Sequence, residues 1–267
     1  MNCSIRLLLV GLSLSASLQA ADLPAMNDAE KQAIRAIVKE TLREYAAVLN
    51  DKQPASGDAK KILGEIVRDN RAFMRKNKPT HFAPFADAQH PRATVVACAD
   101  SRVHSHALDA TPDGDLFVVR NIGNQLVTAE GSVEYGVQHM NTPLLLIVGH
   151  VACGAIKAAA GDYSRESPVI RRELDTLQTP KGEPGLGSVR LNVNNQVRQA
   201  MHKFEERVIA GRLTVVGAVY DFNDEMRQGL GKLNIINVNG ETNPAKIANL
   251  ELMRGLDAPG KGAGGAR

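Results

Sequence analysis

With 267 residues, 43% of them hydrophobic and 23% charged, the chain has enough apolar material for a packed core and an ordinary soluble composition. Its 32 Lys and Arg stand against 29 Asp and Glu, a formal net charge of +3, which excludes the dense basic surface expected of a nucleic-acid binder. Aromatic residues make up 4% and Trp is absent, so stacking platforms for bases or sugars are poorly supplied.

The N-terminus reads as an address. Arg6 gives a short positive region, residues 7–18 are apolar or small, and Ala20 and Ala21 follow. That run has the length of a signal-peptide core and is too short to span a bilayer. The expectation is cleavage after Ala20 and a periplasmic protein with no stable membrane anchor. Cys3 is removed with the signal, which leaves Cys98 and Cys153.

Residues 28–50 carry Ile34, Ile37, Val38, Leu42, Tyr45 and Leu49 at three- and four-residue steps, the period of an amphipathic helix, with Asn27 or Asp28 as its cap. Pro54 and Gly57 mark a linker, and a second helix is expected over 59–77, ended by Pro79. Residues 94–99 read as a buried strand, 116–120 as the next, 130–140 as a helix, and 144–148 as a third strand running into Gly149-His150. A helix start at 153–160, a loop at 182–187, a long helix over 189–210 and strands at 213–220 and 233–238 complete the pattern. Strands alternating with helices imply an α/β fold, a mostly parallel central sheet flanked by helices, here with an N-terminal helical arm. The expected organisation is a signal peptide (1–20), the arm and linker (21–57), a catalytic domain (58–257) and a disordered Gly- and Ala-rich tail (258–267).

Chemistry gathers at two strand ends. Cys98, His150 and Cys153 are good zinc ligands, and three protein ligands leave a fourth position open for water, as at a catalytic site. His150 and Cys153 are three apart, one turn if that segment is helical. Asp100 and Arg102 lie two apart and point the same way on an extended segment. A guanidinium holding a carboxylate keeps it ionised, able only to accept a hydrogen bond from a zinc-bound hydroxide and so to orient it. The competing reading of two cysteines in an exported chain is a structural disulfide, which needs neither the neighbouring Asp-x-Arg nor the His-x-x-Cys.

Cys98-x-Asp100-Ser101-Arg102, with His150-x-x-Cys153-Gly154 about fifty residues on, resembles the signature of the β-class carbonic anhydrases. The segment 114–124, Ser132-Val133-Glu134-Tyr135, Asn192-Val193 and the segment 217–221 are similar to further family segments, so the resemblance covers roughly residues 85–238. It implies one zinc per subunit held by Cys98, His150 and Cys153, an Asp100-Arg102 dyad, and reversible hydration of carbon dioxide to bicarbonate. It also implies a homodimer or higher homo-oligomer, with the first helix packed on a partner. Gln89, Phe117 and Tyr135 match the pocket residues of the plant-like branch. Ile122 would extend their apolar wall, and Gly154 completes the substrate-site set. A second branch has a Trp-dependent bicarbonate site; without Trp, this chain resembles the plant-like one. Val151-Ala152 departs from the polar pair of many relatives, and His104 and His106 read as surface histidines. The alternatives are the same zinc site acting on carbon disulfide or carbonyl sulfide, or a non-catalytic periplasmic zinc or thiol protein.

Overall fold

The structure, a computed structural model, describes residues 27–51 and 58–255. The expected signal peptide, linker and tail lie outside these residues, save that Asp51 ends the first helix and Asp58 caps the second. The chain divides into two compact units, Met1–Lys78 and Pro79–Arg267.

The first unit contributes helices α1 (Asp28–Asp51) and α2 (Ala59–Lys76). Asn27 caps α1: its Oδ1 accepts from Glu30 N at 2.9 Å while Glu30 Oε2 accepts from Asn27 N at 2.8 Å, a reciprocal capping box. Asp58 caps α2 by accepting from Lys60 N at 2.9 Å. No residue of α2 is buried, and the first unit ends after this helix, at Lys78. Ile37 and Leu42 of α1 and Leu63 and Met74 of α2 remain exposed.

The second unit opens with a short turn of helix, α3 (Pro79–Phe82). Its centre is a five-stranded sheet of β1 (Ala93–Cys98), β2 (Leu116–Asn121), β3 (Leu144–His150), β4 (Thr214–Asp221) and β5 (Lys232–Val238). The spatial order is β2-β1-β3-β4-β5, with β1 to β4 parallel and β5 antiparallel to β4. Every residue of β1 is buried, as a central parallel strand covered on both faces requires. Val96, Leu145, Ile147 and Val215 pack into one buried cluster, and Val95, Ala97 and Val148 into another.

The helices between the strands are α4 (Glu130–Glu134), α5 (Gly154–Ala160), α6 (Pro168–Asp175), α7 (Leu186–Lys203) and α8 (Glu205–Ile209), and α9 (Pro244–Asn249) follows β5. The helix expected over 130–140 continues from α4 as a π-helical turn over Tyr135–His139. The long helix expected over 189–210 begins at Leu186 and breaks at Phe204, whose backbone (φ −111°, ψ 25°) leaves the helix so that its ring enters the core, 2% exposed. Burial of one aromatic outweighs helix continuity there.

Helix α7 lies directly on the sheet. A Cβ at Gly149 of β3 would sit 2.6 Å from Val193 Cγ2, and one at Gly217 of β4 would sit 2.8 Å from Val193 Cγ1 and Val197 Cγ2. The strand order also fixes where a ligand can go. From β1 the chain runs to one side for β2 and to the other for β3, so the crevice between the C-terminal ends of β1 and β3 is the topological switch point.

Candidate metal centre

The switch point holds the metal-ligand candidates. Cys98 is the last residue of β1 and His150 the last of β3, and the pairing of Ala97 with Val148 brings the two strand ends together. The segment after His150 is not helical. Val151 and Ala152 form a turn, Ala152 adopts a left-handed φ of 51°, and α5 starts only at Gly154. Thus a tight turn, not a helical step, carries Cys153 back beside His150. Such a conformation in a non-glycine residue costs roughly 1–3 kcal/mol and persists where surrounding contacts hold it.

The ligand atoms of Cys98, His150 and Cys153 lie within 4.8 Å of one another and all three residues are buried. The two sulfurs are 4.0 Å apart and both cysteines are free. That separation is about twice a disulfide bond. It is close to the ~3.8 Å edge of a tetrahedron with zinc–sulfur bonds of about 2.3 Å. His150 Nδ1 lies 2.9 Å from the carbonyl of Val151, to which it donates when Nε2 is unprotonated, while buried Nε2 has no hydrogen-bond partner. A second nitrogen fixed on a carbonyl, with the first left as a bare lone pair, is how metal-bound histidines are held. The residues present therefore fit zinc. The contact between the two sulfurs holds the Cys98 thiol down at about 4 and, together with burial, pushes the Cys153 thiol up.

Asp100 and Arg102 stand beside the trio. Arg102 Nε donates to Asp100 Oδ1 at 2.9 Å and Nη2 to Oδ2 at 2.7 Å, the bidentate pair the sequence suggests. The Arg102 amide adds a third bond to Oδ1 at 3.0 Å. These bonds, led by the guanidinium, hold the Asp100 carboxyl far below the usual carboxylate range. Asp100 Oδ2 lies 3.7 Å from His150 Nε2, so the carboxylate borders the space where a metal would sit. Arg102 Nη2 also donates to the carbonyl of Ala152 at 3.0 Å, tying the dyad to the turn between His150 and Cys153.

Further residues support the site in roles that the sequence does not indicate. Arg120 of β2 donates to the carbonyls of Cys98 (3.0 and 2.8 Å), Asp100 (2.7 Å) and Val103 (2.6 Å), gripping the loop that bears a ligand and the dyad. Within the strand its local signal is a charge at the end of an otherwise apolar run. Gly123 N approaches Cys98 Sγ at 3.4 Å from a turn that requires glycine: φ is +80° and a Cβ would meet Leu177 Cδ2 at 2.6 Å. Buried Asn192 on α7 holds that turn by donating to the Gly123 carbonyl at 2.8 Å, and Gln196 Nε2 donates to Asn192 Oδ1 at 3.1 Å. Phe222, just after β4, packs against both His150 and Arg102.

The remaining candidates divide. Ile122 packs with Cys98 and Cys153 in one apolar cluster, and Gly154 follows Cys153 with no atom within 4 Å of where a Cβ would project. Phe117 and Tyr135 form a separate pair, ring centroids 5.8 Å apart, with Tyr135 45% exposed and stacked on His139. Phe117 pairs with Thr94, whereas Cys98 pairs with Asn121, so the two lie four strand residues apart, about 13 Å. Exposed Gln89 lines a surface cavity of about 300 Å³ with Phe85, His90 and Asp113. Within one chain these three residues do not join the ligand trio. His104 and His106 are exposed.

A family model described as carbonic anhydrase matches residues 93–229, which contain the trio, the dyad, Arg120 and Phe222. Carbonic anhydrase 2 of Mycobacterium tuberculosis is 34% identical over 161 residues, covering 54% of this chain and 76% of that protein. The carbonic anhydrase of Mycolicibacterium smegmatis is 31% identical over 194 residues, 66% of this chain and 91% of its own length. Among solved structures, one of two tetrameric β-carbonic anhydrases from Sordaria macrospora superimposes with a TM-score of 0.55 at 24% identity, over 67% of this chain and 98% of that one. The Coccomyxa β-carbonic anhydrase in complex with acetazolamide does so with a TM-score of 0.55 at 24% identity, over 72% and 92%. At these identities the structural likeness speaks for the fold.

Proposed function

This chain belongs to the β-class carbonic anhydrase family, and from that premise we propose that its Asp100-Arg102 dyad directs the hydration of carbon dioxide at a zinc held by Cys98, His150 and Cys153. Zinc enzymes of this class interconvert carbon dioxide and bicarbonate, and the convergence of three buried ligand atoms beside an Arg-held carboxylate is the observation that carries the reading. When bound, zinc lowers the pKa of a coordinated water to about 7 and so supplies a nucleophile near neutral pH.

The chain's own residues do the rest. Asp100, kept ionised by Arg102, has no proton to give and can only accept one in a hydrogen bond. By accepting from the attacking oxygen it turns that atom's lone pair toward the substrate carbon. Arg102 keeps the carboxylate fixed during attack, and His150 keeps its Nε2 lone pair available by donating Nδ1–H to Val151. Ile122 gives the uncharged substrate an apolar wall. One carbon–oxygen bond forms, bicarbonate leaves, and the proton of the attacking water passes to solvent.

Gln89, Phe117 and Tyr135 are assigned to the same pocket through a second copy of the chain. The exposure of Gln89 and Tyr135, the distance of Phe117 from the trio within one chain and the tetrameric state of the Sordaria relatives support a homodimer or higher homo-oligomer. The absence of Trp supports the plant-like, bicarbonate-insensitive branch. Export to the periplasm after cleavage near Ala20 completes the proposal, with 21–57 as an arm and 58–257 as the catalytic domain. Among the described residues no helix is long and apolar enough to cross a membrane.

Stopped-flow hydration of carbon dioxide by zinc-loaded residues 21–267, beside Cys98→Ser, tests the reading. A rate that rises through about pH 7–8.5 and vanishes in the variant is expected. Zinc-loaded protein without a rate above background refutes it.

A further inference from the structure

Phe222 belongs to no part of the motif that identifies the site, yet its ring touches both halves of it. The guanidinium carbon of Arg102 lies 4.7 Å from the ring centroid. The His150 ring is stacked with it at 6.0 Å and 29°, and the Tyr220 ring meets it edge-on at 5.9 Å. The loop bearing Phe222 is itself fixed. The fully buried Asp221 carboxylate accepts from Asn223 N and Glu225 N at 3.1 Å and from Met226 N at 2.7 Å. Arg102, by contrast, is 48% exposed in its side chain, and its charge-assisted bonds to Asp100 compete with water. A half-buried aromatic face beneath a guanidinium holds it electrostatically while leaving its N–H groups free for the carboxylate.

We propose that Phe222 is a positioning residue that docks the Arg102 guanidinium onto Asp100, and that this docking supports turnover. The second half rests on the carbonic anhydrase reading; the first does not. The test measures solvent exchange of the Arg102 Nε–H by NMR in the zinc-loaded enzyme, its resonance identified by loss in Arg102→Lys, together with kcat and KM for carbon dioxide. Phe222→Leu keeps apolar bulk and removes the ring face. It should speed exchange roughly 2- to 5-fold and lower kcat with KM little changed, while Phe222→Tyr restores both. Should Phe222→Leu fail to fold, Phe222→Met carries the same comparison. Unchanged exchange in a folded, ring-less variant overturns the docking. Faster exchange with unaltered kcat overturns its link to turnover. A parent enzyme without hydration activity sinks the carbonic anhydrase reading, and the link to turnover with it, while the exchange comparison still decides the docking.

Discussion

Replacing Gly149 with Ala should wedge helix α7 away from the sheet one residue before a metal ligand. The new methyl would lie 2.6 Å from Val193 Cγ2 and 3.3 Å from Val189 Cγ1, well inside van der Waals contact. Val193 is fully buried and also rests over Gly217, so it has nowhere to move. Overpacking of this kind costs about 1–3 kcal/mol. Val193→Ala alone removes two buried methyl groups, about 1.6 kcal/mol by transfer, and leaves a cavity that raises the loss to about 2–3 kcal/mol. If the two sites were independent, the double variant would lose about 3–6 kcal/mol, the sum. The contact predicts otherwise: the methyl introduced by Gly149→Ala fills space that Val193 vacates, so the double variant should cost no more than Val193→Ala, a coupling of at least about 1 kcal/mol. Urea unfolding of zinc-loaded protein at fixed protein concentration, with unchanged slopes, measures all four corners. Additivity within about 0.5 kcal/mol would refute the packing of α7 on Gly149.

Zinc capture should release roughly one proton from the cysteine pair, because their contact holds one thiol, Cys98, down and pushes the other, Cys153, up. Affinity then falls as pH falls, with a slope of about one, and calorimetry in buffers of different ionisation enthalpy reads the count; a release of two contradicts that split. Asp100→Asn should lower turnover by about 10- to 100-fold. Since the Asp100 carboxyl is pulled below its unfolded value, its pairing stabilises the fold fully above about pH 4 and is lost as pH falls through the folded pKa. The stability gap between parent and variant should therefore close on acidification, and a widening gap would be fatal to that account. Arg120→Gln removes four hydrogen bonds from the ligand-bearing loop and should weaken zinc binding about 10-fold or more, measured against a chromophoric chelator; unchanged affinity would deny the residue its role.

The ligand trio and the Asp100-Arg102 pair were legible because each sits where an apolar run stops, and ligand chemistry at a strand end has few other meanings. The strands themselves were legible for the same reason: β1 and β3 are short β-branched or Leu-rich runs between polar segments. Helices α6 and α9 were passed over although Ser167-Pro168 and Asn243-Pro244 carry cap and first-turn signals, with Ser167 Oγ accepting from Ile170 N at 3.3 Å and Asn243 Oδ1 from Ala245 N at 3.0 Å. The break at Phe204 and the turn at Ala152 had no local signal, since tertiary contacts set both. Arg120 and Asn192 act through backbone carbonyls and Phe222 through a ring face; a sequence shows none of these partners until the strands are laid side by side.

The crossing order of the strands also governs when the metal can be caught. Cys98 and His150 sit on neighbouring strands, but the whole of β2 and the helical segment after it lie between them in the chain. An unfolded chain can offer a metal only the nearby pair His150 and Cys153, since closing the long loop to Cys98 costs entropy that pairing of β1 with β3 must offset. Tight zinc capture therefore reports that the central pair of strands has already zipped, and a chain stalled before that step leaves the metal to its competitors.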